Sequence, residues 1–287
     1  MARQHGTAGE RRGSAREQLI AVLGEKRYHA DWTNNRHRAR RLLSEFVGTF
    51  GLLFVLSAGA GAITAGAGAP LGKVALIALL SATSALWLVA AIYALGDVSA
   101  HFNPAMTLAF ALRGDMHWYM AVAYWVVQFV AAGAGSLLAR AFFGTTSHLA
   151  ATMPPAGQAW QATAFEALIT GGMVFVVLAM AAGPKLNGPF VPLVVGAYIF
   201  SLGMTGGPYE GAAMNPARAF GPDLALGEFN TLWVYFVGPI VGAGAAVLLD
   251  FGLSGRATVR EAATAQGVAL DGDGPSPGNP GTPISQP

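Results

Sequence analysis

Six apolar stretches run near residues 42–63, 74–95, 118–139, 160–182, 189–204 and 230–250, separated by polar or Gly/Pro-rich segments. A helix rising about 1.5 Å per residue needs roughly 20 residues to cross a hydrocarbon core about 30 Å thick, and most of the six approach that length. The fifth is short. Of the 287 residues 53% are hydrophobic and only 11% charged, against about 25% charge in soluble domains. An ordinary soluble domain is therefore excluded, and the chain reads as an integral membrane protein. It contains no cysteine, so a disulfide, a thiolate nucleophile and a Cys-based metal site are excluded as well.

The flanks divide the chain into three parts: a polar, basic segment over 1–40, a membrane domain over 41–252 and a Pro/Gly-rich tail over 253–287. The first has no apolar h-region or small-residue cleavage site, so the first span is expected to serve as the signal. In the last, Pro and Gly density defeats helix and sheet, and a disordered tail is expected. Ten of the 17 Lys and Arg residues fall in the first 41 positions. With six spans and the N-terminus inside, Arg113, Lys185, Arg256 and Arg260 join that side, leaving Lys73, Arg140 and Arg218 opposite: fourteen against three. The bias predicts a multi-pass protein of the cell membrane with both termini cytoplasmic. Arg36-His-Arg-Ala-Arg-Arg, against the start of span 1, reads as a topology signal or as a patch for anionic lipid. Nucleic acid is not an expected partner.

Three landmarks recur in the same order in both halves. Glu45 and Thr49 in span 1 are matched by Glu166 and Thr170 in span 4. Asn-Pro-Ala stands at Asn103, Pro104, Ala105 and again at Asn215, Pro216, Ala217. Gly-Ala-Gly stands at 133–135 and at 242–244. A duplicated unit with an odd number of spans inserts its two copies in opposite senses, and a site built from both lies near the midplane.

Each tripeptide is a helix start. Pro104 and Pro216 have no N–H to lose and a φ fixed near −65°, which suits the first turn, with Asn103 or Asn215 as N-cap. The apolar residues that follow are too few to span: about ten give roughly 15 Å, half the core. Two such half-helices, entering from opposite sides, would meet with their N-termini face to face. Irregular backbone at that depth is tolerated where it lines a wet path or is buried in protein.

The stretches Ser99-Ala-His-Phe-Asn-Pro-Ala-Met-Thr-Leu-Ala and Gly211-Ala-Ala-Met-Asn-Pro-Ala-Arg-Ala-Phe-Gly-Pro resemble the two signature loops of the aquaporin, or major intrinsic protein, family. Glu45-Phe-Val-Gly-Thr-Phe, Gln128 and Val237-Gly-Pro also match its pattern, and the likeness covers about residues 40 to 252. It implies an all-α membrane protein: a right-handed bundle of six transmembrane helices plus two half-helices in an inverted repeat, usually a homotetramer with one pore per subunit. It also implies a passive channel for water and small neutral solutes, with no catalytic residue, cofactor or metal. The side-chain amides of Asn103 and Asn215 would donate to passing oxygens, while the positive half-helix ends oppose cations and protons. Arg218 is, by this likeness, the arginine of the outer selectivity filter. Glu45 and Glu166, although intramembrane carboxylates are suspects for proton relays, fit better as acceptors for the loops that lead into the half-helices. Gln128 belongs to the same loop support. His101 either lines the cytoplasmic vestibule or fastens its loop.

The solute is less legible. Counting back from the Asn residues gives an outer filter of Thr83, Gly203, Ala212 and Arg218, three of them small. Water-selective members of the family usually carry an aromatic residue and a His at the first two positions, and this chain has neither. Glycerol facilitators usually carry Trp first and an Asp directly after the Arg, where this chain has Ala219. Trp87, one turn beyond Thr83, would give a glycerol-like filter if the register shifts by four. A facilitator for glycerol, urea or metalloid acids with little water flux is the nearest alternative. A secondary transporter would need an ionisable coupling site in the broken helices, and a scaffold would need neither paired Asn nor filter Arg. No Gly-rich phosphate loop, His-x-x-x-His or nucleophile with a base supports an enzyme.

Overall fold

A computed structural model of the chain describes residues 35–67, 71–182 and 190–255. The basic segment before residue 35 and the tail from 256 lie outside the described residues. Within them, secondary structure is helical: α1 (Asn35–Gly66), α2 (Lys73–Leu95), α3 (Pro104–Arg113), α4 (Trp118–Phe143), α5 (Ala159–Ala182), α6 (Val191–Gly206), α7 (Pro216–Leu226) and α8 (Val234–Ser254), with a short turn at Thr146–Ala150 between α4 and α5. Five helices are long and apolar enough to cross a membrane, and α6, with 16 residues, is a shorter apolar helix. The first helix starts at Asn35, so Arg38, Arg40 and Arg41 of the basic run lie on it.

The packing repeats across the two halves. The α1–α4 pair of the first half is matched by α5–α8 of the second, α2 packs on α6 at the centre, and the half-helices are exchanged: α3 lies on α8 and α7 on α4. This is the inverted repeat that the duplicated landmarks lead one to expect. Close approach depends on the repeated glycines. A Cβ on Gly135 of α4 would lie 2.5 Å from the Phe50 carbonyl oxygen of α1, and one on Gly242 of α8 would lie 2.3 Å from the Ala167 carbonyl oxygen of α5. Any side chain at either position would force the helices apart.

Local sequence sets the half-helix limits. Asn103 and Asn215 are extended (φ −155° and −156°), and their side chains accept from the N–H groups of Ala105 and of Ala217 and Arg218. At the far ends the helices stop at Gly114 (φ +88°) and Gly227 (φ +79°), a left-handed conformation that glycine adopts without steric penalty. Arg113 fastens the end of α3: its Nε donates to Asp115 Oδ2 at 2.5 Å and its Nη1 to Asp250 Oδ2 of α8 and the Leu178 carbonyl of α5, both at 3.4 Å.

Polarity runs inside out. Leu86, Leu168 and Leu248 are 68–74% exposed on the outer faces, whereas Glu45, Thr49, Gln128, Glu166 and Thr170 are fully buried. An outer surface of aliphatic side chains around a polar interior suits hydrocarbon as the surrounding solvent.

Candidate channel site

Two carboxylates hold the loops that enter the half-helices. Glu45 of α1 accepts the His101 N–H and the Ser99 hydroxyl on Oε1 (2.8 and 2.7 Å), and the Phe102 N–H and Gln128 Nε2 on Oε2 (both 2.8 Å). Glu166 of α5 accepts the Ala213 N–H on Oε1 and the Met214 N–H on Oε2, the latter at 2.9 Å. In both loops the N–H groups just before the Asn are taken by a fully buried acid of the same half. Otherwise they would be orphan donors at membrane depth.

That grip imposes an uncommon backbone. Phe102 and Met214 have φ of +49° and +52°, the left-handed region that costs non-glycine residues of order 1–3 kcal/mol. The return is direction: each carbonyl faces the other half of the molecule. Asn103 Nδ2 donates to the Met214 carbonyl at 2.8 Å, and Asn215 Nδ2 donates to the Phe102 carbonyl at 2.9 Å. With each Oδ1 pinned by its own helix and one amide hydrogen spent across the pseudo-twofold axis, each Asn has a second amide N–H to offer. Both residues retain 6% exposure.

His101 and Gln128 serve the first loop. His101 Nδ1 lies 3.0 Å from Thr107 Oγ1, its ring stacks on Phe110 with centroids 4.7 Å apart, and Gln128 Nε2 also reaches Thr107 Oγ1 at 3.1 Å. The second loop draws on an additional acid, Glu210. Its Oε1 accepts the Ala212 N–H at 2.8 Å, and its carbonyl accepts Tyr235 Oη at 2.6 Å and the Met153 N–H at 3.0 Å. Glu210 has no counterpart in the first half, and repeat symmetry, the signal that singled out Glu166, could not point to it.

Arg218 lies in the first turn of α7. Its Nη1 donates to the Ala150 carbonyl at 2.8 Å and its Nη2 to the Gly211 carbonyl at 3.4 Å. Among the described residues no carboxylate lies within ion-pair distance of it; the two carbonyls hold the guanidinium, and Glu166, Glu210 and Asp223 act on its charge from farther away. Ala150 ends a left-handed turn in which Ser147, His148, Leu149 and Ala150 have φ of +51°, +47°, +52° and +61°. None is glycine, and nothing in the local sequence announced this turn.

The remaining proposed filter residues lie on helix contacts. Ala212 lies in the loop before α7, with its methyl 3.2 Å from where a Cβ on Gly206 would be. Gly203 faces α2, where a Cβ would lie 2.6 Å from Ser81 Oγ, and the Thr83 methyl faces Gly59 of α1. Trp87 lies against α1, its Nε1 donating to the Gly48 carbonyl at 3.0 Å. Arg218 is tied to the carbonyl of Gly211, next to Ala212; among the described residues no hydrogen bond joins Thr83 or Gly203 to Arg218 or Ala212.

A family model described as "Major intrinsic protein" matches residues 32–250. This chain belongs to the major intrinsic protein family. Among its relatives, aquaporin NIP1-4 of Oryza sativa subsp. japonica is 40% identical over 205 residues, which cover 71% of this chain and 73% of that protein. Aquaporin NIP2-1 of the same organism is 35% identical over 207 residues, covering 72% and 67%. The fold is that of the aquaglyceroporin from Plasmodium falciparum, with a TM-score of 0.62, 22% identity, and coverage of 75% of this chain and 96% of that one. As a major intrinsic protein the chain is a membrane channel and not an enzyme, and the paired Asn turns lie where its two halves meet.

Proposed function

We propose that the protein is a passive pore for water and small neutral solutes, up to the size of glycerol, urea or a neutral metalloid acid, that excludes ions and protons. The observation that carries this reading is the reciprocal bonding of Asn103 to the Met214 carbonyl and of Asn215 to the Phe102 carbonyl. It leaves two amide donors at the junction of two opposed half-helix N-termini. A neutral molecule with an oxygen acceptor gains hydrogen bonds there. A cation meets two partial positive charges of about half an elementary charge each, and the guanidinium of Arg218, held by carbonyls and not by an ion pair, repels it at one mouth. By sequence register the filter is Thr83, Gly203, Ala212 and Arg218, and its three small members add little bulk to the outer mouth. The charge bias supports cytoplasmic termini in a cell membrane with Arg218 on the outside, and the exposed aliphatic faces suit lipid and the neighbouring subunits of a homotetramer.

Stopped-flow light scattering on reconstituted vesicles tests the reading. Water, urea and glycerol should all equilibrate faster than in empty vesicles, with no proton current at any imposed potential. Replacing Arg218 with Val should raise glycerol flux and lower the barrier to ions. Vesicles that pass water alone, or pass protons at a rate comparable with water, would refute it.

A further inference from the structure

The two acids of the second loop share one run of backbone. Glu210 Oε1 takes the Ala212 N–H, Glu166 Oε1 takes the next N–H, that of Ala213, and Glu166 Oε2 takes the one after, that of Met214. These successive N–H groups bring the two carboxyls within hydrogen-bonding reach of each other. Glu210 is 1% exposed, Glu166 is fully buried, and Glu210 Oε2 has no hydrogen-bond partner among the described residues. Two ionised carboxylates only accept, so they cannot satisfy each other. A proton on Glu210 Oε2 turns that orphan oxygen into a donor, with the Glu166 carboxylate as its acceptor.

The first loop shows what such a donor does. Besides two backbone N–H groups, Glu45 receives the Ser99 hydroxyl and Gln128 Nε2. The second half has Gly211 at the spacing from Asn215 that Ser99 has from Asn103, and Val237 at the spacing from its Gly-Ala-Gly that Gln128 has from the first. Neither has a side-chain donor. Glu166 therefore lacks both side-chain partners of its counterpart, and Glu210, beside Gly211, stands where a neutral acid replaces the Ser99 hydroxyl.

Glu210 also ties the loop to the outer mouth. Its carbonyl accepts Tyr235 Oη and the Met153 N–H, and the carbonyl of the next residue, Gly211, accepts Arg218 Nη2. A Cβ on Gly211 would lie 2.7 Å from Thr152 Cγ2, so the backbone is packed closely where it meets the arginine. The charged and titratable groups facing Glu210 are Glu166 of α5, Arg218 of α7 and Tyr235 of α8, while Lys73 of α2 holds the Pro208 carbonyl of the same loop at 2.9 Å.

We propose that Glu210 is a positioning residue for Arg218: as a neutral acid donating from Oε2 to the Glu166 carboxylate, it fixes the loop so that the Gly211 carbonyl keeps the guanidinium in the outer mouth. The proposal rests on the channel reading above and names what sets the arginine's place within it. When the proton leaves for the outer solution, two buried negative charges oppose each other over adjacent N–H groups and the loop yields. The guanidinium then loses its Gly211 carbonyl and is drawn toward the buried acids, out of the solute path. Discrimination at the mouth falls, as it does when the arginine is removed.

The test uses the full-length protein in vesicles, with glycerol and water permeabilities measured from about pH 6 to about pH 10, a range that brackets the value of about 9 to which burial pushes Glu210. In the unmodified protein the glycerol-to-water ratio should be constant at low pH and rise roughly tenfold as Glu210 ionises, the scale on which a small gain of room alters a pocket's discrimination. Glu210→Gln keeps an acceptor for Ala212, offers Glu166 a permanent N–H donor and cannot titrate, so its ratio should stay at the low-pH value throughout. Glu210→Ala should show the raised ratio at every pH. Infrared difference spectra at neutral pH should contain a protonated-carboxyl C=O stretch that Glu210→Gln lacks, a readout that needs no flux. The proposal is overturned if the unmodified ratio is flat across the range, if Glu210→Gln keeps the unmodified profile, or if that infrared band is missing. Vesicles that pass neither water nor glycerol would remove the channel reading itself, while the infrared band would still decide whether Glu210 carries the proton.

Discussion

Replacing each loop-holding acid by its isosteric amide exposes the difference between the two halves. Glu45 accepts from four donors, two on each oxygen, and Glu166 accepts from two backbone N–H groups, one on each. A Gln keeps one acceptor oxygen and turns an NH2 group toward the donors on the other side. Glu45→Gln therefore sets two donors against a donor, and Glu166→Gln sets one. Hydrogen bonds to a charged acceptor contribute about 1.5–3 kcal/mol each, so Glu45→Gln should cost about 3–6 kcal/mol and Glu166→Gln about half as much. At roughly 2–4 °C per kcal/mol for a chain of this size, the first should lower the unfolding midpoint by on the order of 10 °C and the second by on the order of 5 °C. Fluorescence-detected size exclusion after stepwise heating of detergent-solubilised protein measures both. Permeability per folded channel should fall too, because Phe102 and Met214 lose the grip that aims their carbonyls at the opposite Asn. Equal midpoints for the two variants, or no loss in Glu45→Gln, would refute the assignment of these acids as loop acceptors.

Two further outcomes follow. In the loop at the Arg218 mouth, burial, reinforced by the nearby Glu166 carboxyl, pushes Glu210 from its ordinary 4.5 up to about 9. A carboxyl raised in the fold contributes stability that is full below its unfolded value and is lost as pH rises through the folded value. The unfolding midpoint should therefore decline between about pH 5 and pH 9, and Glu210→Gln should flatten that decline; an unchanged slope would count against it. Reporter fusions after residue 40 and at the C-terminus should both signal from the cytoplasm, and an external signal from either would overturn the topology and with it the assignment of Arg218 to the outer mouth.

Much of the architecture is written locally. The spans follow from apolar length, and the half-helix limits follow from Asn-Pro starts and Gly stops, because caps use the hydrogen-bonding groups and backbone freedom of adjacent residues. The inverted order is visible as repeated landmarks, since duplication leaves Glu45 and Glu166 at matching places. Rotation of the helices about their own axes is another matter. In a soluble helix the polar face shows which side is out, but here lipid and core are both apolar, and α2 carries almost no pattern to say where Thr83 and Trp87 point.

Only packing decides that Gly203 meets Ser81, that Thr83 meets Gly59 and that the indole of Trp87 settles on Gly51. The same holds for the bond between Asn215 and Phe102, residues 113 positions apart, and for the left-handed turn that presents the Ala150 carbonyl to Arg218. The sequence by itself determined a six-span inverted repeat with two capped half-helices, because those features depend on neighbours in the chain. The tertiary structure alone decided which side chains stand around the paired Asn residues, because that depends on close contacts between surfaces whose apolar composition is the same on every side.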